Sequence, residues 1–295
     1  MHKNFLSLAV LLLTFSGLTS CIDRELCYYH DHPHAGYVKP VFNWTEDEWL
    51  VSEMPAKMGF MFMGVDGSIA SHDTIGVYKM LTGDYSFITY SIDSKVKFKG
   101  EDISSLEAYT DVLGGFTTEP GVIFQQTSSC SVFPDDTTLV TVSPKSLVKG
   151  INLTVNVEGL DDPSHVTSIN CFLGGCATGV NLSTGIKKMI PATIPFSMRR
   201  EVAGKATFLA RTTTFGPVVD DNGQRLTIDL NLYSGGTISF PVELSEYWLK
   251  AEAEGVKVID CSITVKIKKL GISTDDTEGD VNIDDWGPGV WDTLL

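Results

Sequence analysis

The sequence predicts an all-β protein built from paired sheets, a sandwich architecture with one or two short helices. Three observations carry this. Apolar and polar residues alternate with period 2 in several separate runs, as in antiparallel sheets with one face buried and one wet. Turn-forming residues punctuate those runs at short intervals. Only two stretches show helical spacing.

Taken in order, the chain opens with Met1 to Gly17, in which Lys3 precedes an apolar run from Phe5 to Phe15. That run is far short of the ~20 residues a helix needs to span a bilayer. Its order of charge, apolar core and small residues is that of a removable secretory signal, assigned here to residues 1–20. Its ending, Leu18-Thr19-Ser20-Cys21, resembles the lipobox of bacterial lipoproteins. The resemblance implies a lipid on Cys21 and an anchored mature chain. Several acyl chains hold firmly, each buried methylene contributing about 0.8 kcal/mol. Ile22 in place of aspartate favours the outer membrane, and Asp23 with Glu25 leans towards surface export.

Residues 21–36 then read as a tether. His30, His32 and His34 would share one face of an extended segment, and imidazoles suit zinc or nickel. No second cluster converges on them in the sequence, so a polar tether stiffened by Pro33 is the preferred reading and no metal or other cofactor is expected.

The strand signals follow. Met58-Gly-Phe-Met-Phe-Met-Gly64 is apolar on both faces and suggests a central, doubly covered strand. Lys95 to Lys99 alternates, as do Ile151 to Glu158 and Ser262 to Lys268. Asp220 to Gly223 and Ser234 to Gly236 have the composition of hairpin connections. Helical spacing appears in Glu101 to Val112 and in Leu244 to Glu254, the latter with Ser245 as N-cap and Gly255 as stop. A boundary is expected near Val142 to Val148. It divides the mature chain into 37–145 and 146–295, and the length favours two domains.

Composition narrows the function. The formal net charge is −15, and loss of residues 1–20 removes one lysine and no acid. Such a chain is repelled by phosphate backbones, which excludes nucleic acid as partner. With Cys21 lipidated, Cys27, Cys130, Cys171, Cys176 and Cys261 remain, an odd number for an exported protein. A Cys171–Cys176 bridge and free buried thiols are both compatible with the spacing. The apolar runs around Cys171 and Cys261 favour buried thiols.

Catalytic templates fail. There is no Gly-x-Ser-x-Gly elbow, no His-Glu-x-x-His, no phosphate-cradling glycine loop and no dinucleotide fingerprint. Ser146-Leu-Val-Lys149 lacks the companion motifs of a Ser-x-x-Lys enzyme. The Asp-Asp pairs at 135–136, 161–162, 220–221 and 275–276 fall in turns, where solvated aspartates are ordinary. The chain reads as a non-enzyme.

Three places resemble the fimbrillin-related fimbrial anchor lipoproteins of type V pili. They are Cys21 to Cys27 leading to Val41-Phe-Asn-Trp44, Leu81-Thr-Gly-Asp-Tyr-Ser-Phe-Ile-Thr-Tyr90, and Val281-Asn-Ile-Asp-Asp-Trp286. The resemblance implies two tandem transthyretin-like sandwiches and a role holding a pilus base at the outer membrane. Pilin or other fimbrial subunits would then join by β-strand addition, with Val281, Ile283, Trp286 and Trp291 on the candidate contact strand. The competing assignment makes that strand the last of its own domain. Arg199-Arg200 lies mid-domain, so the trimming of major pilins is not expected. The alternative function is a surface glycan-binding lipoprotein, its sugar platform drawn from Trp44, Trp49, Trp248, Trp286 and Trp291.

Overall fold

The computed structural model describes residues 35–44, 55, 57–73, 75–92, 95–160, 162–218 and 225–267, and the backbone of 279–288. The chain begins with β1 (Ala35–Phe42), β2 (Met58–Gly64), β3 (Ile69–His72), β4 (Tyr78–Leu81), β5 (Gly83–Ser91), β6 (Lys97–Lys99) and β7 (Glu107–Tyr109). Then come β8 (Val112–Leu113), β9 (Phe116–Thr117), β10 (Phe124–Val132), β11 (Thr137–Val142), β12 (Lys145–Ser146) and β13 (Lys149–Glu158). A 3-10 turn at Pro163–His165 leads to β14 (Val166–Ala177), β15 (Gly179–Asn181), β16 (Pro191–Arg200), β17 (Thr207–Thr214), β18 (Arg225–Leu232) and β19 (Thr237–Glu243). A helix α1 (Ser245–Ala253), β20 (Val258–Ile267) and β21 (Gly279–Pro288) complete the order. The molecule is all-β with several sheets and, among the described residues, one short α-helix.

The first sandwich lays the sheet β11-β1-β4 over the sheet β12-β10-β5-β2-β3. Alternation aims Val38, Met80 and Val142 from one layer at Phe60, Phe62 and Phe87 from the other. Rings dominate this core: Phe60 and Phe62 stack at 6.3 Å, and Phe62 meets Phe87 at 5.4 Å. Each such side chain contributes roughly 1.5–3 kcal/mol on burial. β2 lies between β5 and β3 and is buried along nearly its whole length. Its apolar run therefore has the doubly covered place expected of it.

The reverse face of that sheet is covered too. Met61 and Ile88 pack with Ile103, Leu106 and Ala108, and also with Val180, Leu182 and Phe215 from beyond β13. A small sheet, β15-β7-β6, closes this middle core, pairing Val180 with Ala108. A hydrophobic cluster thus draws on both sides of the linker at Val142 to Val148.

The second sandwich follows one strand path, β19-β18-β14-β16-β17-β13-β20-β21. It folds over where the end of β16 meets β17, at Arg199↔Leu209 and Arg200↔Phe208. Ile151, Leu153, Val155 and Val157 of β13 all point inward, as do Ile263, Val265 and Ile267 of β20. α1 seals one side with Trp248 and Ala251.

Four expectations need correction. Glu101 to Val112 is not a helix. Asp102 Oδ1 accepts from Ser104 Oγ at 2.7 Å and from Ser105 N at 2.8 Å, so side chains hold a turn there. Short polar residues compete with helical bonding in this way, and the spaced Ile103 and Leu106 serve the middle core instead. In α1 the N-cap position is Leu244, with no side-chain cap, and Ser245 is already helical. Gly255 does end it: Gly255 N bonds Glu252 O, Val256 N bonds Ala251 O, and φ is +68°. Residues 220–223 lie outside the described segment, but β17 and β18 do not pair, so they join no hairpin. Ser234 to Gly236 does, between antiparallel β18 and β19. Lastly, the sheets are not purely antiparallel: β1 runs parallel to β11, and β13 to β20.

Candidate functional site

The carboxy-terminal candidate strand is β21. It pairs antiparallel with β20 from Ile259↔Pro288 to Ile267↔Gly279, with a register shift between Ser262 and Ile263. Cys261 stands opposite Trp286, Ile263 opposite Ile283 and Val265 opposite Val281. β21 ends the strand order, so one side of its backbone faces away from β20. Trp291 lies outside the described residues, as do Cys21, Cys27, His30, His32, His34 and Trp49.

Among the described residues no group of three His, Cys, Asp or Glu could hold a metal ion. Four cysteines are described and all are free: Cys171, Cys176 and Cys261 buried, Cys130 partly so. The Cys171–Cys176 bridge does not form. Desolvation pushes the thiol of Cys176 up to about 12 and that of Cys261 likewise to about 12. Cys171 moves the same way, burial first and Asp229 second.

Residues with a catalytic look have structural partners. Ser146 Oγ donates to Val148 O at 2.9 Å, and Lys149 Nζ donates to Val256 O at 2.8 Å. Lys257 Nζ reaches Ser146 O at 3.0 Å, so the two lysines pin the linker to the loop after α1. Burial holds the Lys149 amine below its ordinary range, with Lys187 and Lys257 adding to the shift. Asp135 and Asp136 sit in an exposed turn, and Asp162 caps the 3-10 turn through Ser164 N. Arg199 and Arg200 are strand residues. The Arg200 guanidinium lies 4.5 Å over the Phe208 ring and bonds the carbonyls of Pro163, Val166 and Lys205. A protease needs an extended, unpaired segment, and this one is paired.

The tryptophan platform does not assemble among the described residues. Trp248 is 2% exposed in the second core. Trp44 is partly buried, stacked on Phe42 at 5.4 Å and edge-on to Phe124.

The sequence reading missed a different surface. The outward residues of β19, β18, β14 and β16 line up in rows. One row is Ser239, Asp229, Asn170 and Ser197; the next is Pro241, Thr227, Phe172 and Pro195; a third holds Thr237, Asn231 and Ser168. Ser239 Oγ donates to Asp229 Oδ1 at 2.6 Å, and Ser197 Oγ to Asn170 Oδ1 at 2.9 Å. Asn231 Nδ2 donates to Ser168 Oγ at 3.0 Å and Thr237 Oγ1 to Asn231 Oδ1 at 2.9 Å. Phe116 of β9, 48% exposed, stands edge-on to Phe172 at 6.4 Å. The signal was available: Phe172 falls on the outward parity of an otherwise inward-apolar strand.

No family model matches the chain, and no curated protein matches it. Solved structures do. A candidate adhesin from Bacteroides thetaiotaomicron superimposes with a TM-score of 0.56 at 11% identity, over 89% of this chain and 99% of that one. A candidate adhesin from Bacteroides ovatus gives 0.54 at 15% identity, over 77% and 88%. The fimbrial anchor protein Mfa2 from Porphyromonas gingivalis gives 0.50 at 14% identity, over 87% and 97%. The chain shares their fold. Identities this low carry the architecture alone.

Proposed function

We propose that this chain is an outer-membrane lipoprotein, anchored through Cys21, that serves as a fimbrial anchor or cell-adhesion subunit. The observation that carries the reading is the fold likeness to a fimbrial anchor protein over 87% of this chain. The lipobox-like Leu18 to Cys21 supports attachment to the membrane. In this reading residues 21–36 are the tether, its last two residues, Ala35 and Gly36, already pairing with β4 at the start of β1, and 37–145 and 146–295 are tandem transthyretin-like domains. A repeated topology supports the tandem relation: in each part an early strand runs parallel to a late one and antiparallel to another, β1 with β11 and β4, β13 with β20 and β17.

Fimbrial subunits join by strand addition at β21, around Val281, Ile283 and Trp286, with Trp291, outside the described residues, as the further candidate contact. An edge strand leaves a row of N–H and C=O groups open to a further strand, which supplies affinity through backbone bonds. The trimming route stays closed because Arg199 and Arg200 are held in β16.

Crosslinking in intact cells, followed by mass spectrometry of the adducts, tests this reading. Neighbouring pilins or adhesion subunits are the expected partners. Adducts confined to outer-membrane transporters would overturn it.

A further inference from the structure

We propose that the outward face of β19-β18-β14-β16 is a binding site for a neutral oligosaccharide. The Phe172–Phe116 pair is its stacking platform, and Asp229 and Asn170 are its main hydrogen-bonding groups. This goes beyond the anchor reading and does not rest on it, because the face belongs to the layer opposite β21 in the second sandwich.

The face carries an outward aromatic ring, Phe172, on an otherwise polar surface. The other layer of the same sandwich is polar as well, with Asn152, Thr154 and Asn156 of β13 beside Asp260, Ser262 and Thr264 of β20, but the outward residues of β13, β17 and β20 include no aromatic ring. Here the three rows hold serine, threonine, asparagine, proline and Phe172, with Asp229 their one acid, and the exposed Arg199, on the same parity of β16 as Ser197, carries the opposite charge. The neighbouring Arg225 and Glu243 neutralise one another as an ion pair. On a chain of net charge −15, a nearly neutral face suits an uncharged ligand better than a phosphate, a sulfate or a basic peptide.

Shape and chemistry agree with the charge. A β face is flat on this scale: rows lie about 7 Å apart and strands about 4.8 Å apart. Three rows over four strands therefore offer about 14 Å in each direction, enough for a short run of sugar rings. A pyranose has C–H groups on its flat faces and hydroxyls around its rim. Phe172, flanked by Thr227 and Pro195 and met edge-on by Phe116, receives the first. The adjacent row receives the second. An ionised carboxylate has about four acceptor sites and an amide two donors, more than the bonds from Ser239 and Ser197 use. Apolar support with a few fixed polar groups is the usual make-up of a ligand site.

The test is calorimetric titration of the full chain in detergent with neutral gluco-, manno-, xylo- and galacto-oligosaccharides, and with a sulfated galactan fragment. At least one neutral oligosaccharide should bind. Phe172→Ala should weaken it about tenfold, the scale of a lost aromatic contact. Phe172→Tyr keeps the ring and should bind as wild type does, which separates lost stacking from lost fold. Asp229→Asn should weaken binding, while Leu139→Ser, on the first sandwich, should leave it unchanged. Failure of every neutral oligosaccharide to bind, binding of the sulfated fragment alone, or wild-type affinity in folded Phe172→Ala would overturn the proposal.

Discussion

Cys171, Cys176 and Cys261 act in this fold as small, buried apolar side chains. The thiolate is the reactive form, and desolvation disfavours it. Of the four described cysteines, Cys130, which is only partly buried, should therefore be the first to react with a maleimide near neutral pH. The other three should label only after denaturant is added; rapid labelling of Cys261 in the native chain would contradict their burial. The same shift has a sign in stability. The native state holds these protons more tightly than the unfolded chain does, where the ordinary value is 9.0. The stabilisation is thus complete below pH about 9 and is lost as pH rises towards about 12. Denaturant midpoints should fall over that window, and less so in a Cys261→Val variant.

Among the elements, β2 shows most plainly what a local pattern can specify. An apolar residue at every position tells of cover on both faces, and β2 has Phe60 and Phe62 in one core and Met61 in the other. Gly59 belongs to the same logic. A Cβ there would lie 2.5 Å from the Tyr90 ring, which itself packs on Phe98 at 5.0 Å. Gly59→Val should cost about 1–3 kcal/mol in chemical denaturation, by overpacking; an unchanged midpoint would mean that Tyr90 moves freely. The alternations of β13 and β20 were equally legible. Their parallel pairing was not, because a period of 2 is the same whichever direction the neighbour runs. The segment from Glu101 misled for a related reason: Ile103 and Leu106 fit a helical spacing, but Asp102 and Ser105 satisfy the backbone first. The outward aromatic of β14 shows in the sequence only as one ring out of parity, a weaker signal than the tryptophans, of which Trp248 serves packing in the second core.

At the scale of the molecule, the middle core decides how independent the two sandwiches are. Leu106 and Ala108 from one side of the linker share it with Val180 and Phe215 from the other. β7 pairs with β15 across the same divide. Either half alone would expose a contiguous apolar patch, a known aggregation hazard. The full chain should therefore unfold in one calorimetric transition, and Leu106→Asp should lower that transition as a whole. Two resolved transitions in the wild type would show that the halves unfold separately. Coupling of this kind is what the proposed anchor role asks of the molecule, because the shared core joins the two sides of residues 142–148.

The proposed anchor role needs a fixed end. In that proposal the fixed end is the lipid on Cys21. Metabolic labelling with radioactive palmitate, combined with membrane fractionation, tests it most directly. The wild type should carry label and sediment with the outer membrane, and Cys21→Ala should be unlabelled and released. A wild-type chain that takes up no palmitate would contradict the account.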